Sequence, residues 1–253
     1  MDPVSLGVAD ELKALLNFGE DGSLGRYRQF RSDKARLLEV DVPLFKADEI
    51  DGMVEGPILF MSRHASAGGV GSFTVHPTGN WSSSAELGGE PMRLSIASPE
   101  RMLSVLRLIG SVAMGSTTYE ATHHGPLTRN PSLFVELGGN PSFADSLQNR
   151  KMLASAIAEA LENGFEAEYD RVAIGIGGTH YPRKFTRLAI EGRYAFGHMM
   201  PNYAIDAEMI ASAVECSDVA VERAVIEWKS IKGPDREMVI RRLEELGIDY
   251  DRI

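Results

Sequence analysis

Arg171-Val-Ala-Ile-Gly-Ile-Gly-Gly-Thr-His-Tyr-Pro-Arg-Lys-Phe-Thr186 is the stretch whose reading decides the fold. Val172 to Ile176 is a short apolar run rich in β-branched residues, which predicts a buried strand. Gly177 and Gly178 end it and let the backbone turn sharply or pass close to a bound group. His180 follows, then Arg183, Lys184 and Arg187. A strand therefore delivers an imidazole and a cluster of cations to one edge of a sheet. In open α/β sheets the carboxyl edge is where ligands bind.

Outward from that strand, others alternate with helices. Leu37–Leu44, Pro57–Ser62, Ser72–Val75, Ser116–His124, Leu133–Glu136 and Arg193–Phe196 read as strands. Helical spacing of Val4, Val8, Leu12, Leu15 and Leu16 opens the chain. A further helix is expected from Ser98 as N-cap to Gly110 as stop, and a long one from Asp145 to Glu162. Three more are expected over Asp206–Glu215, Asp218–Ser230 and Pro234–Leu246. Residues 19–36, rich in glycine and charge, read as a solvated loop, with an RNA-facing arm as the sharper alternative. Alternating strands and helices with apolar strands predict a three-layer α/β/α architecture. At 253 residues the chain makes one large α/β domain or two small ones, and a single α/β domain over 1–253 is the expectation.

Hydrophobic residues make up 43% and charged residues 25%, as in an ordinary globular protein. No apolar run approaches the roughly 18 residues of a membrane span, and no secretory leader is visible, so no membrane partner is expected. Cys216 is the lone cysteine and reads as a core residue of a reducing cytoplasm. A net charge of −10 argues against broad nucleic-acid binding, DNA included. It leaves room for a local basic patch, because screening confines such effects to about 10 Å.

All six histidines, His64, His76, His123, His124, His180 and His198, fall at or just past the end of an expected strand. Strands that supply residues at their carboxyl ends converge on one crevice, so these side chains are expected to be neighbours. In Tyr119-Glu-Ala-Thr-His-His-Gly-Pro126 an extended chain would put Glu120, Thr122 and His124 on one side and His123 on the other. Gly125-Pro126 offers the turn that would bring both imidazoles together. Glu136 arrives from another strand. Imidazoles and carboxylates without spare cysteines suit a catalytic zinc; the alternative is a metal-free site with one histidine as general base. Gly175-Ile-Gly-Gly178 is no phosphate-binding fingerprint, since neither G-x-G-x-x-G nor a Walker lysine is present.

The segments Ser62-Arg-His-Ala-Ser66, Phe73-Thr-Val-His-Pro-Thr-Gly-Asn80, Glu120-Ala-Thr-His-His-Gly-Pro126, Gly175-Ile-Gly-Gly-Thr-His-Tyr-Pro182 and Phe196-Gly-His198 resemble the archaeal and plant type of D-aminoacyl-tRNA deacylase. The resemblance runs from about residue 36 to 230. It implies a phosphorylase/hydrolase-like fold with a mixed sheet, akin to peptidyl-tRNA hydrolase, in a single hydrolytic domain, and a cytoplasmic, monomeric esterase that frees tRNA of D-amino acids with zinc as cofactor. The chain departs from the family in opening almost directly at a helix where a strand is usual. Glu136-Leu-Gly-Gly-Asn140 also lacks the family's serine and threonine. On this reading His180, His124, Glu136 and Glu120 are the expected catalytic groups, and His64, His123, His180 and His198 the expected zinc ligands. His180 could serve either as ligand or as base. Arg183, Lys184, Arg187 and Arg63 would hold the acceptor end of tRNA by its phosphates. Gly177, Gly178, Thr179 and His76 would form a pocket that reads handedness. A zinc peptidase or nucleoside phosphorylase on a related scaffold is the alternative, and a non-catalytic RNA-binding module a second.

Overall fold

The computed structural model describes residues 2–64, 68–113 and 117–253. Asp2 caps helix α1 (Pro3–Leu15) by accepting from the Ser5 amide, and Pro3 occupies the first turn. The segment expected as a loop is instead a hairpin, β1 (Gly19–Leu24) and β2 (Tyr27–Arg31), joined antiparallel to β3 (Arg36–Glu39). Its arginines lie in ion pairs on the surface: Arg26 pairs with Glu49, Arg28 with Glu39 and Arg31 with Asp21. Tyr27 and Phe30 are both buried, on opposite faces of β2, Tyr27 in the cluster with Ile58 and Phe60 and Phe30 against the helical layer.

Two short 3-10 turns lead to β4 (Ile58–His64), followed by β5 (Ser72–His76) and the small pair β6 (Gly79–Asn80) and β7 (Arg93–Leu94). Helix α2 (Pro99–Val112) runs through Gly110, and Ser98 hydrogen-bonds Asp218 and caps nothing. Then come β8 (Thr117–Tyr119), β9 (Ser132–Gly138), the single turn α3 (Pro141–Ala144) and α4 (Leu147–Glu162), which Ser146 caps. The expected strand start at Ser116 lies outside the described residues. The decisive stretch forms β10 (Arg171–Ile176) and α5 (Arg183–Ile190), and β11 (Tyr194–Met200) and α6 (Ala207–Glu215) follow. The expected helix Asp218–Ser230 is replaced by β12 (Arg223–Ile226) and a 3-10 turn. The chain ends in α7 (Gly233–Leu246), closed by Gly247 in the left-handed region, and β13 (Asp249–Arg252).

Strands order β11-β10-β12-β13, all parallel, in one sheet and β4-β9-β5-β8 in another. In the second, β4 lies parallel to β9, but β5 is antiparallel to β9 and carries β8 with it. The chain running on from β8 bridges the two sheets: Ala121 N donates to His180 O and Thr122 N to Met199 O. Helices α1, α2 and α4 bury one layer of apolar side chains with Phe73, Val75, Leu133, Val135 and Leu137. Helices α6 and α7 cover Ile174, Ile176, Ala224 and Ile226 on the far side. The result is the expected three-layer α/β/α fold with mixed pairing. On β9 the alternation that sends Val135 and Leu137 into the helical layer turns Glu136 to the opposite face.

Candidate active site

Glu136 lies opposite Thr74 on antiparallel β5 and beside Ser62 on β4. Five histidines and Glu120 gather around it. His64, the last residue of β4, places Nδ1 3.1 Å from Glu120 Oε1 and 3.3 Å from Glu136 Oε2. His76 Nε2 is 3.9 Å from Glu136 Oε2. His123 Nε2 approaches Glu120 Oε2 at 3.4 Å, and His180 Nε2 approaches the same oxygen at 2.8 Å. The rings of His123 and His124 are 4.3 Å apart, because His124 takes φ +41° and turns the chain, as Gly125-Pro126 led one to expect.

The way these histidines meet differs from the expected route. His76 ends a strand antiparallel to β9, so its end and that of β4 point to opposite edges. The side chains converge on the face of the sheet, over Glu136, and not at one common carboxyl edge. Together with Phe45, Leu87 and Phe134, the residues His64, Glu120, His123, His124, Glu136 and His180 line one part of a cavity of about 1300 Å³ that runs on to α1, β3 and the end of α4.

His76, His123 and His124 share a construction. Each spends its Nδ1–H on a backbone carbonyl, of Pro77, Ala121 and Gly125 respectively. That fixes the tautomer and leaves Nε2 as a lone pair facing a common space. Burial, reinforced by the neighbouring imidazoles, lowers the pKa of His76 well below its ordinary value and that of His123 to about 3. His124 is lowered as well, burial again leading. Near neutral pH all three are uncharged, the form that binds metal.

The carboxylate side carries the opposite charge logic. Burial alone would raise the Glu120 carboxyl, yet hydrogen bonds from His180 and His64 hold it well below the usual range. Burial would lower His64, but hydrogen bonds to Glu120 and Glu136 push it up to about 10. Glu136 is raised by burial, and the Glu120 charge adds to that. An imidazolium thus sits against one ionised carboxylate and a second that holds its proton more tightly.

Three sets of ligand atoms lie within 4.8 Å of one another: His76, His123 and His124; Glu120, His123 and His180; His64, Glu120 and Glu136. His76 Nε2 is buried and has no hydrogen-bond partner among the described residues. An orphaned acceptor of this kind is what a divalent cation would satisfy, so the residues present fit a metal. Of the expected ligands, His64, His123 and His180 each belong to at least one of these sets. His76, expected in the substrate pocket, and His124, expected among the catalytic groups, join the imidazole set.

His198 does not. The strand expected to end at Phe196 runs on to Met200, leaving His198 fully buried within β11. Its Nε2–H donates to Ser95 O at 2.9 Å and its Nδ1 lies 3.1 Å from Thr122 Oγ1. With both nitrogens engaged it has no lone pair for a metal; it ties β11 to the chain that carries the paired histidines.

Gly177 and Gly178 also serve a different purpose from the one expected. Both take positive φ, and a Cβ on Gly177 would come within 2.5 Å of Ser230 Oγ, one on Gly178 within 2.9 Å of Glu227 Oε2. Their smallness lets the turn pack on residues 227–231; neither they nor Thr179 line the cavity. The basic run after them is the start of α5 and not a turn. Lys184 pairs with Glu227 and Arg187 with Glu191, whereas Arg183 is exposed and makes no ion pair among the described residues. Arg63 is exposed at the end of β4, and Ala65 and Ser66 beyond it lie outside the described residues.

Two tyrosines were missed. The Tyr181 hydroxyl is 2.9 Å from His64 Nε2, and that of Tyr203 is 3.4 Å from His180 Nδ1. Tyr181 was detectable from its place directly after His180; Tyr203 follows β11 in a turn, with no local signal.

The model of the D-aminoacyl-tRNA deacylase family matches residues 54–250. The chain belongs to the D-aminoacyl-tRNA deacylase family. A D-aminoacyl-tRNA deacylase of Ignicoccus hospitalis is 38% identical over 221 residues, 85% of this chain and 87% of the relative. Another, of Thermococcus kodakarensis, is 33% identical over 100% of this chain and 97% of its own length. A crystal structure titled as a conserved protein of unknown function superposes with a TM-score of 0.87 at 29% identity, covering 98% of this chain and 91% of that one. Every residue of the cluster lies inside the span matched by the deacylase family.

Proposed function

We propose that the chain hydrolyses the ester linking a D-amino acid to tRNA, releasing the free D-amino acid and tRNA. The observation that carries this reading is the packing of four histidines and two glutamates on one cavity, with His76 buried behind them, in a member of the deacylase family. The bond to be broken is an activated ester, so a positioned base and a polarised carbonyl suffice. Glu120, held ionised, accepts the Nε2–H of His180 at 2.8 Å and so presents Nδ1 as the basic nitrogen. His180 is about one third exposed, at the mouth of the cavity where substrate enters. It takes a proton from water as the water oxygen bonds to the ester carbon. It returns that proton to the ribose oxygen as the carbon–oxygen ester bond breaks. The His64 imidazolium supplies positive charge near the oxyanion that develops.

The cofactor proposed is zinc, with His76, His123 and His124 as the imidazole set that would hold it and Glu120 beside them. When bound, a zinc ion polarises an ester carbonyl and lowers the pKa of a coordinated water. Arg183, with Lys184, Arg187 and Arg63, would anchor the acceptor-end phosphates without reading sequence. The same reading takes residues 1–253 as one hydrolytic domain, working as a monomer in the cytoplasm. The single-domain part of that reading is supported by a core cluster that gathers side chains from Val4 to Val225.

The test is deacylation of D- and L-tyrosyl-tRNA by purified protein, with metal content measured on the same sample. Rapid release from the D-ester alone is expected. Equal rates on both esters, or none on either beside cleavage of a peptide or nucleoside, would sink the reading.

A further inference from the structure

Tyr203 is 67% exposed, yet it is held in place. It lies in the turn after β11, which is closed by Ala204 N to Pro201 O and tied to the glycine turn by Asn202 N to Gly178 O. The same glycine turn delivers His180, whose Nδ1 is 3.4 Å from the Tyr203 hydroxyl. Helix α5, with the exposed cation Arg183, starts three residues after His180. A large aromatic face is thus presented to solvent from a tethered turn, beside the proposed base. Burial does not account for it, and its weak contact with His180 uses only the hydroxyl and leaves the ring free.

We propose that Tyr203 is the platform on which the terminal nucleobase of the aminoacylated tRNA stacks. The inference rests on the deacylase reading of the site. The chemistry of the substrate places the base where the ring is: it is joined to the ribose that carries the ester, one sugar away from the carbon attacked at His180. Exposed aromatic rings beside basic groups are how proteins hold unpaired nucleic-acid ends, because every base has a π-face. A tyrosine has few rotatable bonds to freeze, so stacking costs little order. Held at its base on one side and its phosphates on the other, the acceptor nucleotide would carry its ester to His180 in a single register.

The experiment compares wild type with Tyr203→Ala, Tyr203→Phe and Tyr203→Trp in single-turnover deacylation of D-tyrosyl-tRNA, with D-tyrosine methyl ester as a substrate lacking a base. Tyr203→Ala should raise the half-saturating tRNA concentration about 5- to 150-fold, the worth of one stacked base. Its loss on tRNA should exceed its loss on the methyl ester by that factor. Tyr203→Phe and Tyr203→Trp should stay near wild type, since the ring acts and the hydroxyl does not. If Tyr203→Phe is as defective as Tyr203→Ala, with the loss in maximal rate on both substrates, Tyr203 positions His180 and the platform is wrong. An unchanged half-saturation in Tyr203→Ala overturns it equally. Should wild type prove inactive on D-tyrosyl-tRNA, the deacylase reading falls, and the platform is judged by titration with adenosine monophosphate against ribose 5-phosphate. Tighter binding of the nucleotide, lost in Tyr203→Ala and kept in Tyr203→Phe, sustains it; no preference for the nucleotide sinks it.

Discussion

Glu120 is a carboxylate almost wholly out of water, tolerated because His64, His123 and His180 surround it. Replacing it by glutamine keeps the shape and removes the charge that orients His180. Turnover of D-aminoacyl-tRNA by Glu120→Gln should fall by roughly two to four orders of magnitude, as should that of His180→Ala. Single-turnover rates beside melting curves check this, and a folded His180→Ala with near-normal turnover would remove His180 from the mechanism. Most of these groups were legible because imidazoles past apolar runs stand out. His198 was misread because nothing local reveals that Ser95 and Thr122 occupy its nitrogens. Burial lowers its pKa to about 4 from an ordinary 6.5. The unfolded chain therefore binds that proton first as pH falls. The associated stability is full above about pH 6.5 and is lost as pH drops through 4, a change of about 3 kcal/mol. Chemical denaturation of His198→Gln at pH 7 and pH 4.5 should show a smaller difference between the two than wild type does.

At the scale of elements, β10 was readable from its own residues and β12 was not. Ala224-Val-Ile226 is too short for periodicity to separate strand from helix, and the parallel partners that make it a strand lie some fifty residues upstream and twenty-six downstream. Nor does any local pattern in β5 reveal its direction, which depends on pairing with β9. Helix α5 recasts the basic run as a surface whose cations are unequal. Arg183 is unpaired among the described residues, and Lys184 already holds Glu227. Arg183→Ala should flatten the salt dependence of tRNA binding by about one unit of log–log slope, and Lys184→Ala by less. Filter binding across a salt series reads both. Equal slopes would mean the Glu227 pair opens on binding.

For the molecule as a whole, the metal reading has a thermodynamic signature apart from turnover. An ion bound only by the folded state adds stability by mass action, about 2.7 kcal/mol at a hundred times its dissociation constant. Zinc should raise the midpoint of thermal unfolding, a chelator should reverse this, and His76→Ala should abolish the response. Zinc-independent melting in wild type would count against the site. The carbonyls of Pro77, Ala121 and Gly125, which hold three of the imidazoles, belong to the main chain. Their aim is therefore indifferent to which side chains stand beside them. Point substitutions along residues 121–126 that spare the two histidines and the turn should leave the rings in place, while insertion or loss of one residue there should scatter them. The vulnerability of this centre lies in the length of its loops more than in their spelling, and drift in spelling is what accumulates as lineages diverge.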